Sequence, residues 1–294
     1  GARVHTTGSA AGNTLAVWGT SLREDLVVDL NAGRGRIRQI SVGTAPSWTQ
    51  SDLVSIDHTG IDRVEIRTLD GGDRVAVRAI AVPTFVWTGA GDDIVAVGSQ
   101  AAVGATTTTW PNTLGTADVV DAALTVDGGM TGTDSGQDQL TVDDTGDTTD
   151  NSATLTGTTL VGLGMAVGIT YAAFEDLVVG TGTGNDTITV DSTHVGSART
   201  TEISTGDGND AVIVRTVGGP LSVDTGAGND TVRLSSGVGG IGGTLTGIGA
   251  LVTLAGSGGT GDHLYVDTTA SSSDLIGVLT GVTLAGLGMT LGGS

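Results

Sequence analysis

The residues in this sequence best placed to do chemistry are aspartates that close glycine-rich turns. Thr-Gly-Thr-Gly-Asn-Asp-Thr-Ile-Thr-Val fills 181–190, Thr-Gly-Asp-Gly-Asn-Asp-Ala-Val-Ile-Val fills 205–214, and Thr-Gly-Ala-Gly-Asn-Asp-Thr-Val-Arg-Leu fills 225–234. The closing aspartates are Asp186, Asp210 and Asp230, and looser copies of the phrase place Asp73 and Asp93 in the same role. A carboxylate there can accept hydrogen bonds from turn amides, and it can also ligate a hard cation.

Each aspartate is followed by apolar side chains two and four positions on: Ile188 and Val190, Val212 and Val214, Val232 and Leu234. Period two marks a strand with one buried face. Asp73 and Asp93 lie 20 residues apart, Asp186 and Asp210 24, and Asp210 and Asp230 20. Two short strands and two turns fill such an interval, which is one coil of a solenoid. The expected fold is therefore all-β, a parallel β-solenoid (β-roll or β-helix-like) with about 20–24 residues per coil. Equivalent strands would pair in parallel with about 4.8 Å per step, bringing like charges into a column. Such a column raises its own pKa values or takes a counter-cation. The alternative is that Asp and Asn only hydrogen-bond the stacked turns, forming a ladder without metal.

Composition agrees. The chain has 294 residues, 51 of them Gly, and a net charge of −20 with 3% aromatic residues. A core must therefore come from Val, Leu, Ile and Ala, which suit closely spaced strand faces. Glu occurs only at 24, 65, 175 and 202, and Lys is absent. So much Asp favours turns and short-armed cation binding over a merely solubilising surface. Without Cys there is no disulfide framework and no thiolate metal site. The charge argues against a nucleic-acid partner. No signal peptide and no apolar run of membrane-spanning length is visible, which argues against membrane insertion and fits a mature or excised portion of something larger.

A longer period overlies the short one. Residues 138–165 recur at 262–289, an offset of 124. The chain reads as a first superrepeat over 1–137 with an N-terminal extension, a second over 138–261, and a partial third over 262–294, all one continuous solenoid.

The segments at 181–190, 205–214, 225–234 and 88–97 resemble the nonapeptide repeats of RTX-type (hemolysin-type) calcium-binding secreted proteins, Gly-Gly-x-Gly-x-Asp-x-(apolar)-x. Gly182, Gly184, Asp186 and Ile188 fill the second Gly, third Gly, Asp and apolar positions. Gly206, Gly208, Asp210 and Val212 do the same, as do Gly226, Gly228, Asp230 and Val232, and Gly89, Gly91, Asp93 and Val95. The first Gly is Thr in every copy (Thr88, Thr181, Thr205, Thr225), and the motif recurs once per coil rather than every nine residues, so it lines one edge. The resemblance implies Ca²⁺ held between stacked turns by turn carbonyls and the Asp carboxylate. The implied oxygen donors are Asp186, Asp210, Asp230, Asp93 and Asp73, with Gly184, Gly208 and Gly228, and neighbouring Asn185, Asn209, Asn229 and Asp207. The 124-residue unit is similar to long repetitive segments of bacterial surface and adhesin-like proteins.

Other signals are weaker. Val223-Asp224-Thr225-Gly226 matches an aspartic-protease triplet but falls in phase with the turns. His5, His58, His194 and His263 have no ligand spacing, and surface or edge positions are expected for them. Asp143-Asp144 reads as a solvated loop in a chain this rich in turn Asp. Trp18, Trp48, Trp87 and Trp110 all lie in the first 110 residues with nine of the twelve Arg; core filling and a contact face explain them equally. The expected function is non-enzymatic: an extracellular or cell-surface building block in a surface layer, filament or adhesin stalk, stiffened by Ca²⁺. Its expected partners are other copies of itself or flanking solenoid repeats, joined end to end or laterally. The alternative is a carbohydrate-binding or polysaccharide-modifying β-helix module, which needs acids, Arg and aromatics clustered on one face.

Overall fold

A computed structural model describes residues 3–9, 12–42, 54–103, 113–129, 136–238 and 241–290. Trp48 and Trp110 lie outside the described residues. Among the described residues every regular element is a strand, and the architecture is that of a parallel β-solenoid. The chain divides into two compact units, 1–147 with 161–179, and 148–160 with 180–294.

The first unit opens with β1 (Arg3–Ser9), β2 (Gly12–Thr20), β3 (Glu24–Asn31), β4 (Arg34–Val42) and β5 (Val54–His58). The coils follow: β6 (Arg63–Leu69), β7 (Arg74–Val77), β8 (Thr84–Trp87), β9 (Ile94–Val97), β10 (Leu124–Asp127) and β11 (Gln139–Asp143). The chain then runs through β12 (Ser152–Leu155) and β13 (Thr159–Gly162) before returning to the first unit with β14 (Ile169–Ala172) and β15 (Asp176–Gly180). The first unit's strands lie in two sheets, in the orders β1-β2-β6-β8-β10-β14 and β15-β11-β9-β7-β3-β4-β5, and from β6 to β11 successive strands alternate between them. Each coil thus contributes one strand to each sheet. The parallel register carries Val64 beside Thr84 and Val75 beside Val95, one 20-residue coil apart. Longer coils place their extra residues between β9 and β10 and between β10 and β11.

The opening strands, 5 to 9 residues long, add antiparallel partners to β2 and β3, which themselves pair in parallel with β6 and β7. β1 pairs antiparallel with β2, and β3, β4 and β5 form an antiparallel meander. Ala32 and Gly33 both have positive φ (49° and 76°), the backbone of a two-residue hairpin turn whose twist matches the strands.

Small residues decide which faces are covered. β7 and β9 read Arg-Val-Ala-Val and Ile-Val-Ala-Val, and both faces of these strands are largely buried. Ala76 and Ala96 leave room on the outer face, where they cluster with Val27, Ile94, Ala101 and Val103. The opposite face holds Val75, Val77, Val95 and Val97 in the core between the sheets.

In the second unit the sheets are β12-β16-β18-β20-β22 and β17-β19-β21. Their members are β16 (Thr187–Val190), β17 (Thr200–Ser204), β18 (Ala211–Val214), β19 (Leu221–Asp224), β20 (Thr231–Leu234), β21 (Val252–Ala255) and β22 (His263–Val266). A separate antiparallel hairpin, β23 (Gly277–Leu279) with β24 (Leu284–Gly286), follows. Ile188, Val212 and Val232 share one register column, and Val190, Val214 and Leu234 another. All six are buried, as the period-two pattern requires.

Candidate functional site: stacked Asp, Asn and Thr ladders

The register that aligns the strands also aligns the turns before them. In the second unit Asp186 Oδ1 accepts the amide hydrogen of Asn151 at 2.8 Å, and Asp210 Oδ1 accepts that of Asp186 at 2.8 Å. Asp230 Oδ1 accepts from Asp210 at 2.9 Å, and Asp262 Oδ1 from Asp230 at 3.1 Å. The first unit repeats the device. Asp73 accepts from Glu24 N–H at 2.6 Å, Asp93 from Asp73 at 2.6 Å, Asp138 from Asp93 at 2.9 Å, and Glu175 from Asp138 at 3.0 Å. The backbone carbonyl of each rung receives a second bond from the next coil: Ala211 N–H donates to Asp186 O and Thr231 N–H to Asp210 O, both at 2.8 Å. A buried turn amide that would otherwise lack a partner is thus satisfied by the following coil's carboxylate.

The sequence placed Asp73, Asp93, Asp186, Asp210 and Asp230 in columns, and the structure stacks them within their respective units. It adds Glu24, Asp138, Glu175 and Asp262, which sequence reasoning left out of the site. Asp138 and Asp262 carried a usable signal, since each precedes the same apolar alternation and they are 124 residues apart.

The asparagines form a second ladder of opposite sense. Asn185 N–H donates to Asp150 Oδ1 at 2.8 Å, Asn209 N–H to Asn185 Oδ1 at 2.8 Å, and Asn229 N–H to Asn209 Oδ1 at 2.9 Å. Here the later coil donates, whereas in the Asp ladder the earlier one does. Asn185, Asn209 and Asn229 are exposed, as is Asp207, whose amide donates to Gly182 O at 3.1 Å.

The threonines that stand at the first Gly of the RTX-like pattern form a third. Thr181 Oγ donates to Thr205 O at 2.9 Å, Thr205 Oγ to Thr225 O at 3.1 Å, and Thr68 Oγ to Thr88 O at 2.7 Å. All are buried. A glycine could not make this contact, so the Thr-for-Gly departure has a structural role.

Gly184, Gly208 and Gly228 are required by close approach. A Cβ on Gly184 would overlap Thr149 O, one on Gly208 would overlap Gly184 O, and one on Gly228 would overlap Gly208 O. Gly208 and Gly228 also hold φ near 142° and 150°, which side chains rarely adopt.

One carboxylate oxygen per rung is thereby occupied. The second oxygen of Asp73, Asp210 and Asp230 is buried and receives no hydrogen bond from the protein. Thr68 lies beside Asp73 and Thr205 beside Asp210, but the single hydroxyl proton of each goes to a carbonyl, Thr88 O and Thr225 O. Burial, reinforced by the neighbouring Asp93 and Glu24 carboxylates, pushes the Asp73 carboxyl up to about 8. Burial likewise raises Asp210, with Asp186 and Asp230 adding to it, and raises Glu24. A protonated Asp73 could donate to the Thr68 oxygen, since that hydroxyl retains acceptor lone pairs. Among the described residues no group of three or more His, Asp or Glu side chains is arranged as a metal cage. The groups beside Asp73 and Asp210 are neighbouring carboxylates and a threonine hydroxyl, Thr68 and Thr205 respectively, hard oxygens only.

Elsewhere the structure departs from expectation. Asp143 and Asp144 are buried rather than solvated. Asp143 Oδ2 accepts from Gly115 N–H and Asp144 Oδ1 from Ala117 N–H, both at 2.8 Å, which ties residues 115–117 to the strand end. His194 is buried rather than at the surface. A cavity of ≈190 Å³ in the first unit is lined by Asp29, Arg36, His58 and Ile80 among others. Its carboxylate is committed, since Asp29 bonds Arg36 at 2.6 Å and Arg38 at 2.8 Å.

The outer face of β2, β6 and β8 gathers what the sequence did not show as a cluster. Arg67 lies between Trp18 and Trp87 in register, with its guanidinium 3.9 Å from the Trp87 ring centroid. Arg63 lies over Phe85 at 5.4 Å, Phe85 and Trp87 are stacked at 5.7 Å, and Glu65 pairs with both arginines. Trp18 is 49% exposed. Arg233 over Tyr265, at 4.3 Å, repeats the pairing in the second unit.

No protein-family model, no curated protein and no solved structure matches this chain.

Proposed function

We propose that the chain is a non-enzymatic structural building block of an extracellular or cell-surface array, such as a surface layer, filament or adhesin stalk, whose Asp turns are charge-compensated by Ca²⁺. The observation that carries this reading is the sealed second oxygen of Asp73, Asp210 and Asp230. An ionised carboxylate in that position needs a positive charge or a proton. Asp186, Asp210 and Asp230, and separately Asp73 and Asp93, would hold the cation. The carbonyls of Gly184, Gly208 and Gly228 would assist, with Asn185, Asn209, Asn229 and Asp207 at the exposed rim. When bound, Ca²⁺ supplies the charge that lets carboxylates stack, and it accepts oxygen donors in flexible geometry. The resemblance of the turns to RTX-type repeats supports the same ion.

The residues of the chain do the rest. The Asp and Asn ladders fix the register of successive turns, the Thr ladder holds the turn entrance, and the glycines let backbone meet backbone. Cation binding and folding are then linked, so the array orders where calcium is plentiful, outside the cell. The partners in this reading are repeats of the same kind, in other copies or in flanking solenoid. Thermal unfolding in calcium and in chelator tests it: a melting temperature raised by calcium is expected, and an unchanged one removes the cation.

A second reading, a carbohydrate-binding or polysaccharide-modifying module, is favoured by the outward cluster of Trp18, Arg63, Arg67, Phe85 and Trp87. Aromatic faces suit sugar rings, and arginines suit uronate carboxylates. Retention on an immobilised uronate polymer that is lost in Trp87→Ala would favour it, and passage without retention would remove it.

A further inference from the structure

The opening coil departs from the later ones at two positions together. The strand register sets Trp18 beside Arg67 and Arg67 beside Trp87, so Gly19 stands where the next two coils carry Thr68 and Thr88. Five residues on, Glu24 stands where they carry Asp73 and Asp93. Thr68 Oγ donates to Thr88 O at 2.7 Å, but a glycine at 19 has no hydroxyl to send to Thr68 O. The longer side chain of Glu24 reaches into the space so released. A Cβ built on Gly19 would overlap Glu24 Oε2 and would lie 2.6 Å from Thr68 O. Gly19 has no left-handed φ, so close approach and not backbone conformation calls for glycine there.

One oxygen of each acid is committed and the other is sealed. Glu24 Oε1 accepts from Thr20 N–H at 2.9 Å and from the Thr20 hydroxyl. Asp73 Oδ1 accepts from Glu24 N–H at 2.6 Å. Glu24 Oε2 and Asp73 Oδ2 receive no hydrogen bond from the protein, and both residues are 0% exposed. The charge of Glu24 bears on Asp73, so the two carboxylates lie within electrostatic reach of one another. Thr68 lies beside both, with its carbonyl toward Gly19 and its hydroxyl toward Asp73. Glu24 Oε2, Asp73 Oδ2 and Thr68 O are all acceptors. A single proton serves at most two of them and leaves one negative charge buried. A divalent cation serves all three and cancels both charges.

We propose that Glu24, Asp73 and Thr68 form a calcium site at the opening of the first unit, with Glu24 Oε2, Asp73 Oδ2 and Thr68 O as ligands and water completing the shell. A mixed set of hard oxygens suits Ca²⁺, which accepts about six to eight of them in flexible geometry, over Mg²⁺, which demands a near-ideal octahedron. Ser21 and Leu22, between Thr20 and Glu24 in the chain, are exposed and give a hydrated ion a way in. Residues 19–24 read Gly-Thr-Ser-Leu-Arg-Glu and lack both glycines of Thr-Gly-x-Gly-x-Asp. The site therefore lies outside the turns that resemble RTX-type repeats. It rests on the proposed function for the choice of ion and shares Asp73 with it, but the column of Asp186, Asp210 and Asp230 stands without it.

The probe is terbium(III), a stand-in for Ca²⁺ whose emission is sensitised by a nearby indole. It reads the first unit selectively, because all four tryptophans lie in the first 110 residues and Trp18 adjoins Gly19. Terbium is titrated into the intact, chelator-stripped chain with tryptophan excited alone. Saturable emission that excess Ca²⁺ displaces is expected. Its apparent affinity is expected to fall about tenfold or more in Glu24→Gln, which keeps the shape of the side chain and its acceptor for Thr20 but removes the charge. Glu24→Asp keeps the charge, withdraws the oxygen from the space over Gly19, and is expected to weaken binding as well. Circular dichroism of both variants checks that strand content is retained. Unchanged affinity in Glu24→Gln would overturn the site, and so would emission that Ca²⁺ does not displace, or none at all from the wild type. Unchanged affinity in Glu24→Asp would take the ligand out of the Gly19 cradle and overturn the geometry. Calorimetric titration of Ca²⁺ separates this site from the reading it rests on: heat that is reduced in the Asp210→Asn, Asp230→Asn chain but unchanged in Glu24→Gln would keep the proposed function and remove this site.

Discussion

Asp210 Oδ1 accepts the amide hydrogen of Asp186 at 2.8 Å across the 24 residues that separate two turns. The same relation joins Asp73 to Asp93 across 20 residues, at 2.6 Å. The carboxylate therefore holds one coil to the one before it, whatever neutralises its charge. Position and charge can be separated by substitution.

Asp210→Ala leaves the Asp186 amide buried without an acceptor and should destabilise by about 1–3 kcal/mol. Asp210→Asn retains an acceptor oxygen and removes a charge from the column, so in chelator it should cost less than Asp210→Ala. Denaturant unfolding of the two variants measures the difference, and equal losses would mean that the hydrogen bond across the coil contributes little.

In chelator, stability should fall as pH rises. Burial pushes the Asp73 carboxyl from 3.8 up to about 8. An acid raised in the folded state binds protons more readily when folded, so its contribution is complete below about 4 and lost by about 8. Glu24 and Asp210 shift in the same direction, each chiefly through burial. Asp73→Asn should flatten the slope between pH 5 and pH 8, at about those values, and melting curves of the wild type and the variant across that range provide the comparison.

Much of this architecture is legible in the sequence, and the misses have physical causes. Period two after each turn Asp fixes the buried columns, and the 20-residue spacing fixes the register of β6 with β8 and of β18 with β20. The sense of each ladder is not legible, because an Asp and an Asn in adjacent positions offer the same oxygen to opposite neighbours. Glu175 escapes because no Gly-rich turn precedes it, and Glu24 because it follows an irregular opening coil. The outward cluster escapes for a different reason. Arg67 and Trp87 are one coil apart, but β2 joins them from 49 residues upstream of Arg67, so Trp18 appears unrelated until register is known. Asp143 and Asp144 look solvated because composition cannot show that the amides of Gly115 and Ala117 turn inward to meet them.

Gly208→Ala should cost about 3 kcal/mol or more, since its φ is near 142° and the new methyl would overlap Gly184 O. Gly281→Ala is the control: a Cβ there meets nothing within 4 Å, and a change within about 0.5 kcal/mol is expected. Urea midpoints measure both.

Thr205→Val keeps shape and burial but removes the hydroxyl that donates to Thr225 O at 3.1 Å. A loss of about 1 kcal/mol is expected, with the larger share from the unpaired carbonyl. Thr205→Gly, which restores the residue of the RTX-type pattern, should lose more because it adds backbone freedom to the lost contact. Equal stability in all three would assign the Thr column no role.

Calorimetric titration of Ca²⁺ into chelator-stripped protein bears most directly on the charge-compensated ladder. Saturable binding is expected, with the share held by the second unit's column lost in the Asp210→Asn, Asp230→Asn double variant while its strand content by circular dichroism is retained. Absence of binding heat in the wild type, with the same melting temperature in calcium and in chelator, would contradict it and leave protons as the neutralising charge.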